Sequence, residues 1–174
     1  TIYFAALING EASNFFGSVV CGGGVDQLLE VKHLDLGALE DAVLEVMLQG
    51  ATNTPHRVKV LLNKEEVGVV VLEGQAKGLF QVEVPQLLLL EGDNLVTLIP
   101  QGGEMDVSFV DSIRLTYWHS YMADDNSLRF TGHGGSYLTL SGFTHPKVRV
   151  IDITDSNDVI EVIGKIESRK GSYA

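Results

Sequence analysis

The chain has 174 residues, enough to bury one sizeable core, so one domain or one domain with a small appendage is the expected organisation. Hydrophobic residues make up 45% and charged residues 20%, a globular rather than disordered composition, and no apolar run is long enough to span a bilayer. The net charge of -11, with 12 basic residues scattered singly, argues against a phosphate-binding surface and against nucleic acid as a partner.

The chain opens at Thr1 directly into Ile2-Tyr3-Phe4-Ala5 with no charged leader, so any export signal is expected to have been removed or to lie outside this sequence, which reads as a piece of something longer. A strand is expected at Ile2 to Ile8, then a glycine turn at Cys21 to Gly24, then a strand at Leu28 to Leu34. The segment Ala38 to Gln49 has helix-favouring composition. Yet Ala42, Leu44, Val46 and Leu48 alternate with more polar positions, and strand-period burial overrides local propensity. Further strands are expected at Val58 to Leu62, Val67 to Leu72, Leu79 to Val84, Leu95 to Ile99 and Phe109 to Tyr117. Asn63 to Glu66 would close a hairpin, Pro85 would end a strand, and Gly92-Asp93-Asn94 would turn before the next. These segments predict an all-β fold, an antiparallel β-sandwich of jelly-roll type over residues 1–118. Strands at Ser127 to Phe130, Tyr137 to Leu140, Val148 to Ile153 and Val159 to Ile163 would form a short additional β-meander over 119–174. That stretch is too small for a comfortable core of its own and is expected to pack on the first part.

Taken in order, Asn14-Phe15-Phe16-Gly17, His56-Arg57-Val58, Leu62-Asn63, Val110 to Tyr117, Leu128-Arg129-Phe130, Gly142-Phe143 and Val150 to Thr154 carry a diffuse pattern over most of the chain. This pattern resembles the non-catalytic β-sandwich region that precedes the catalytic domain in secreted bacterial gingipain-type cysteine peptidases of the caspase-like clan. The resemblance implies an extracellular or cell-surface location, a catalytic domain of the same parent chain as partner, and an accessory role in folding, positioning or attachment.

Thr131-Gly132-His133-Gly134 is similar to the sequence around the catalytic histidine of that family. A thiol peptidase also needs an activated cysteine, which in the family lies downstream, and no cysteine follows His133. The match is therefore read as a glycine-rich turn, and no catalytic residue is assigned. Cys21 is the only cysteine, which rules out an intrachain disulfide, and it is expected to be a small, partly buried residue. His33, His56, His119, His133 and His145 show no zinc-helix spacing and are read as structural or surface groups. Asp106 and Asp111 could be paired for glycoside hydrolysis only if both faced a cleft, and each is more simply a turn or strand-edge residue.

No cofactor is required by any motif. Calcium is the one cation the acidic loops could take, with Glu11, Asp111, Asp152, Asp155 and Asp158 as candidates and Asp124-Asp125-Asn126 as a further cluster. Asp and Asn are also the usual turn formers, and that reading is preferred. The aromatic run Tyr117-Trp118-His119-Ser120-Tyr121 offers Tyr117, Trp118 and Tyr121 as candidates for stacking on a sugar ring. Trp118 is expected instead to seal the junction between the two parts, since large aromatics are mostly buried. The leading expectation is thus a non-catalytic scaffold. The alternative is a carbohydrate-binding jelly-roll module with a polysaccharide or cell-surface ligand, and a metal-dependent hydrolase ranks third.

Overall fold

The computed structural model describes residues 1–8, 12–169 and 171–174. It divides into two compact units, Thr1–Trp118 and His119–Ala174. The first contains β1 (Ile2–Tyr3), β2 (Phe15–Phe16), β3 (Val19–Val20), β4 (Val25–Val31), β5 (Ala42–Gly50), β6 (Pro55–Leu62), β7 (Glu65–Glu73), β8 (Lys77–Val84), β9 (Gly92–Pro100) and β10 (Ser108–Thr116), with a single 3-10 turn at Gln86–Leu88. Among the described residues, no helix is long and apolar enough to cross a membrane.

Two four-stranded antiparallel sheets form a sandwich, with orders β3-β10-β5-β8 and β4-β9-β6-β7. Along the chain the strands cross between the sheets at every step except β6 to β7, which is the jelly-roll connection. Alternation builds the core. Leu44, Val46 and Leu48 of β5, Val58, Val60 and Leu62 of β6, Val70 and Leu72 of β7, and Val96 and Leu98 of β9 all point into one buried cluster. The strand expected from Ala42 is formed, because β5 lies between β10 and β8 and can bury one face along its whole length. A second cluster of Leu7, Phe16 and Phe109 packs with Phe4, whose ring centre lies 5.1 Å from that of Phe109.

Bulges adjust both sheets. In β10 the register slips between Val110 and Ser112, leaving Asp111 as the extra residue, and its carboxylate accepts from Lys77 Nζ at 2.7 Å. In β7 the slip lies opposite Val60 and Leu61, beside Gly68. A Cβ on Gly68 would meet the Phe80 ring at 2.4 Å, so glycine leaves the notch that this ring fills. Asn63 and Lys64, both at positive φ (51° and 78°), close the β6–β7 hairpin as expected.

Several expected boundaries shift. β1 stops at Tyr3 because the chain turns back at Ala5-Ala6, with Leu7 N–H donating to Phe4 O. The strands β2 and β3 were not expected, being too short to show alternation. β4 runs from Val25 to Val31 rather than to Leu34, because His33 sits at φ 52° and the Glu91 carboxylate takes the N–H groups of His33 and Leu34.

The second unit contains β11 (Val150–Asp152) paired with β12 (Ile160–Val162), and β13 (Ser168–Arg169) paired with β14 (Ser172–Tyr173). The segments 127–130 and 137–140 are not strands. Before the first, Asp124 and Ser127 exchange backbone bonds around Asp125 and Asn126, both at positive φ. Asn126 Oδ1 then accepts from the N–H and hydroxyl of Thr144, so side chains rather than a ladder hold this stretch.

Candidate functional site

The best-organised exposed surface among the described residues lies at the end of the sandwich where β10 finishes. Three loops meet there, and buried amides fix each. Gln86 is 5% exposed. Its Nε2 donates to Asp35 O at 2.7 Å and its Oε1 accepts the Trp118 N–H at 3.1 Å. Asp35 N–H in turn donates to Trp118 O at 2.8 Å, so both backbone groups of Trp118 are held. The Tyr117 hydroxyl straddles Lys32, donating to its carbonyl and accepting from its N–H, each at 3.2 Å. Beneath the 85–91 loop, Asn63 Nδ2 donates to Leu88 O, while the Asn94 amide both accepts from Leu90 N–H and donates to Leu90 O.

On this frame the Trp118 side chain is 48% exposed, which corrects the expectation that it is sealed away. Its neighbours in the frame carry exposed apolar side chains too: Leu36 follows Asp35, and Leu87 follows Gln86. Of the three aromatic candidates, Tyr117 is partly buried against the core and pinned at its hydroxyl. Tyr121 belongs to the second unit, where its ring meets Phe130 edge-on and its hydroxyl donates to Thr131 O. Trp118 alone combines an open ring with a backbone clamped on both sides. Gln86 escaped the sequence reading, although a single amide inside the apolar run 85–90 is the signal that could have found it.

Asp106 and His56 form a second organised centre, and it is structural. Both side chains are fully buried, with His56 Nδ1 2.9 Å from Asp106 Oδ1. His56 Nε2 lies 3.1 Å from the carbonyl oxygens of both Thr52 and Gly74. Asp106 Oδ2 accepts the N–H groups of Arg57, Gln101 and Gly102. Carboxylate and imidazole are thus used up in joining loops, and neither faces a cleft. Asp111 is held by Lys77.

The calcium candidates are not brought together. Glu11 lies outside the described residues. Among those described, no group of three or more His, Cys, Asp or Glu side chains could hold a metal ion. Asp152 and Asp155 accept from Thr154 N–H and Asn157 N–H, as turn formers do, and these bonds occupy one oxygen of each. Hydrogen bonds from Thr154, the side-chain bond before the backbone one, hold the Asp152 carboxyl below the usual carboxylate range. Asp158 N–H closes the same turn onto Asp155 O. His133 is exposed in a turn closed by Ser136 N–H on its carbonyl. Cys21 is exposed rather than partly buried, because the chain turns there, with Gly24 N–H donating to Cys21 O at 3.1 Å.

No family model matches the sequence, and no curated protein matches it. Solved structures match in part, among them the following. A family 35 carbohydrate-binding module from an environmental isolate is 17% identical with a TM-score of 0.41, over 56% of this chain and 67% of that one. The carbohydrate-binding module CBM36 in complex with calcium and xylotriose is 13% identical with a TM-score of 0.43, over 67% and 91%. The CBM36-1 domain of a multidomain xylanase from the hindgut metagenome of Trinervitermes trinervoides is 12% identical with a TM-score of 0.44, over 66% and 86%. Scores below 0.5 at such identities define no family for this chain.

Proposed function

We propose that the chain is a non-catalytic β-sandwich module of an extracellular or cell-surface protein that binds polysaccharide at the end of the sandwich built around Trp118. The observation that supports this reading is the half-open indole on a backbone clamped by Gln86 and Asp35. A flat ring presented from a fixed backbone can stack on the apolar face of a sugar, and the amide frame fixes that backbone on both sides. Leu36 and Leu87, next in sequence to the frame residues Asp35 and Gln86, are exposed as well. Nothing in this arrangement acts as acid, base or nucleophile.

The test is Trp118→Ala, with a glycan array and denaturant melts run on both proteins. The expected result is loss of a wild-type glycan signal at a stability cost of about 2 kcal/mol, less than truncating a buried tryptophan costs. A wild type that binds no glycan, or a variant that binds as well as wild type, would refute the proposal. A second reading, accessory scaffold of a gingipain-type peptidase, rests on the ordered residue pattern from Asn14 to Thr154. It is compatible with glycan attachment, and a downstream α/β segment bearing a His-then-Cys pair in the parent gene would support it.

A further inference from the structure

The second unit contains a groove of about 270 Å³ that plays no part in the surface at Trp118. Leu128, Phe130, Leu140 and Phe143 line it, and so do the five consecutive residues Lys147 to Ile151. Successive side chains of an extended chain point to opposite faces. A groove touched by five residues in a row, two of them in β11, therefore runs along the edge of the strand and its lead-in rather than over one face. Among the described residues β11 pairs with β12 alone, which leaves its other edge without a strand partner. Among the described residues no backbone hydrogen bond joins 147–151 to the lining residues at 126–130.

The polar groups around the groove are matched in sign. His145, Lys147 and Arg149 line it, and no carboxylate does. Asn126 also lines it, with its carbonyl oxygen spent on Thr144, so its amide group remains as a donor. Arg149 is shared with Glu161, whereas Lys147 makes no ion pair among the described residues. In a chain of net charge -11 this is a local reversal of sign.

We propose that this groove is a docking site for an extended acidic peptide segment, added as a strand along the free edge of β11. Main-chain bonds to β11 would give affinity, alternate apolar side chains would pack on Leu128 and Phe130, and acidic side chains between them would meet Lys147 and His145. The inference stands independently of the glycan proposal, since it uses a different unit and different chemistry.

The experiment uses the full chain and fluorescence anisotropy with a labelled eight-residue peptide of alternating Val and Glu. Three comparisons accompany it: a Val-Lys peptide, a Val-Glu peptide N-methylated at alternate amides, and the Lys147→Glu protein, its fold checked by circular dichroism. Binding of the Val-Glu peptide is expected, weaker by about tenfold for each altered peptide and by about fivefold for the variant. Equal binding of the Val-Lys or N-methylated peptide, an unaffected Lys147→Glu protein, or no saturable binding at millimolar peptide would overturn the proposal. So would binding of the acidic polysaccharide alginate at these residues without any peptide binding, which would make the ligand a glycan.

Discussion

Both nitrogens of the His56 ring face only acceptors: the Asp106 carboxylate on one side, and the Thr52 and Gly74 carbonyls on the other. The ring therefore ties one carboxylate and two loop carbonyls together from opposite sides. The same ring sits against Gly50, where a Cβ would come within 1.8 Å of Gly74 O, so the loops it joins are packed at backbone contact. Removing one partner of such a buried pair leaves the other uncompensated. His56→Ala is expected to lose about 3 to 5 kcal/mol in urea melts, and a loss under about 1 kcal/mol would show that the pair is not what joins these loops. The sequence marked His56-Arg57-Val58 as structural, and the structure agrees. What it could not show was the partner, since Asp106 is 50 residues away and looks like any other acid before a strand.

At the scale of elements, long alternation was legible and short pairing was not. β5 through β10 follow from period-two burial, and even helix-favouring residues between Ala42 and Gln49 yield to it. β3 has only two residues and owes its existence to β10, against which Val19 and Val20 align. In the second unit the apolar residues suggested strands at 127–130 and 137–140, but turns and side-chain bonds organise that chain instead. The β11–β12 hairpin gives a pH prediction. Arg149 donates to both Glu161 oxygens at 2.8 and 3.2 Å, and this bond, with the guanidinium charge, holds the Glu161 carboxyl below its ordinary 4.5. A depressed carboxylate contributes its stability above the unfolded value, so the contribution should be intact above pH 4.5 and disappear as pH falls through the lower folded value. Amide exchange at 150–152 and 160–162 should speed up on acidification through that window in wild type and be insensitive to it in Glu161→Gln. The pair is exposed, so the change will be small.

For the whole molecule, the jelly-roll order could be expected from strand number and spacing, whereas the surface at Trp118 could not. Its frame joins Asp35, Gln86 and Trp118, three positions far apart in sequence whose meeting depends on the completed sandwich. The architecture makes one further demand. β10 lies between β3 and β5, so a chain ending at Val107 leaves β5 with one neighbour instead of two and β3 with none. Such a chain is expected to lack the cooperative urea transition of the full protein. A sharp transition with β-type circular dichroism in the truncated chain would contradict this.

The same strand order sets a timetable for folding. Within the two sandwich sheets only β6 and β7 are neighbours both in sequence and in space, while Val25 must wait for Leu98 and Val19 for Phe109. Folding dominated by such distant pairings takes on the order of milliseconds to seconds, and during synthesis β5 stands without a partner until β8 has emerged, β4 until β9 and β3 until β10. Nascent chains in that condition adhere to one another through unpaired edges. The acidity of the first 118 residues, sixteen acids against six basic residues, then has a use before any ligand is met, because like charge keeps waiting chains apart.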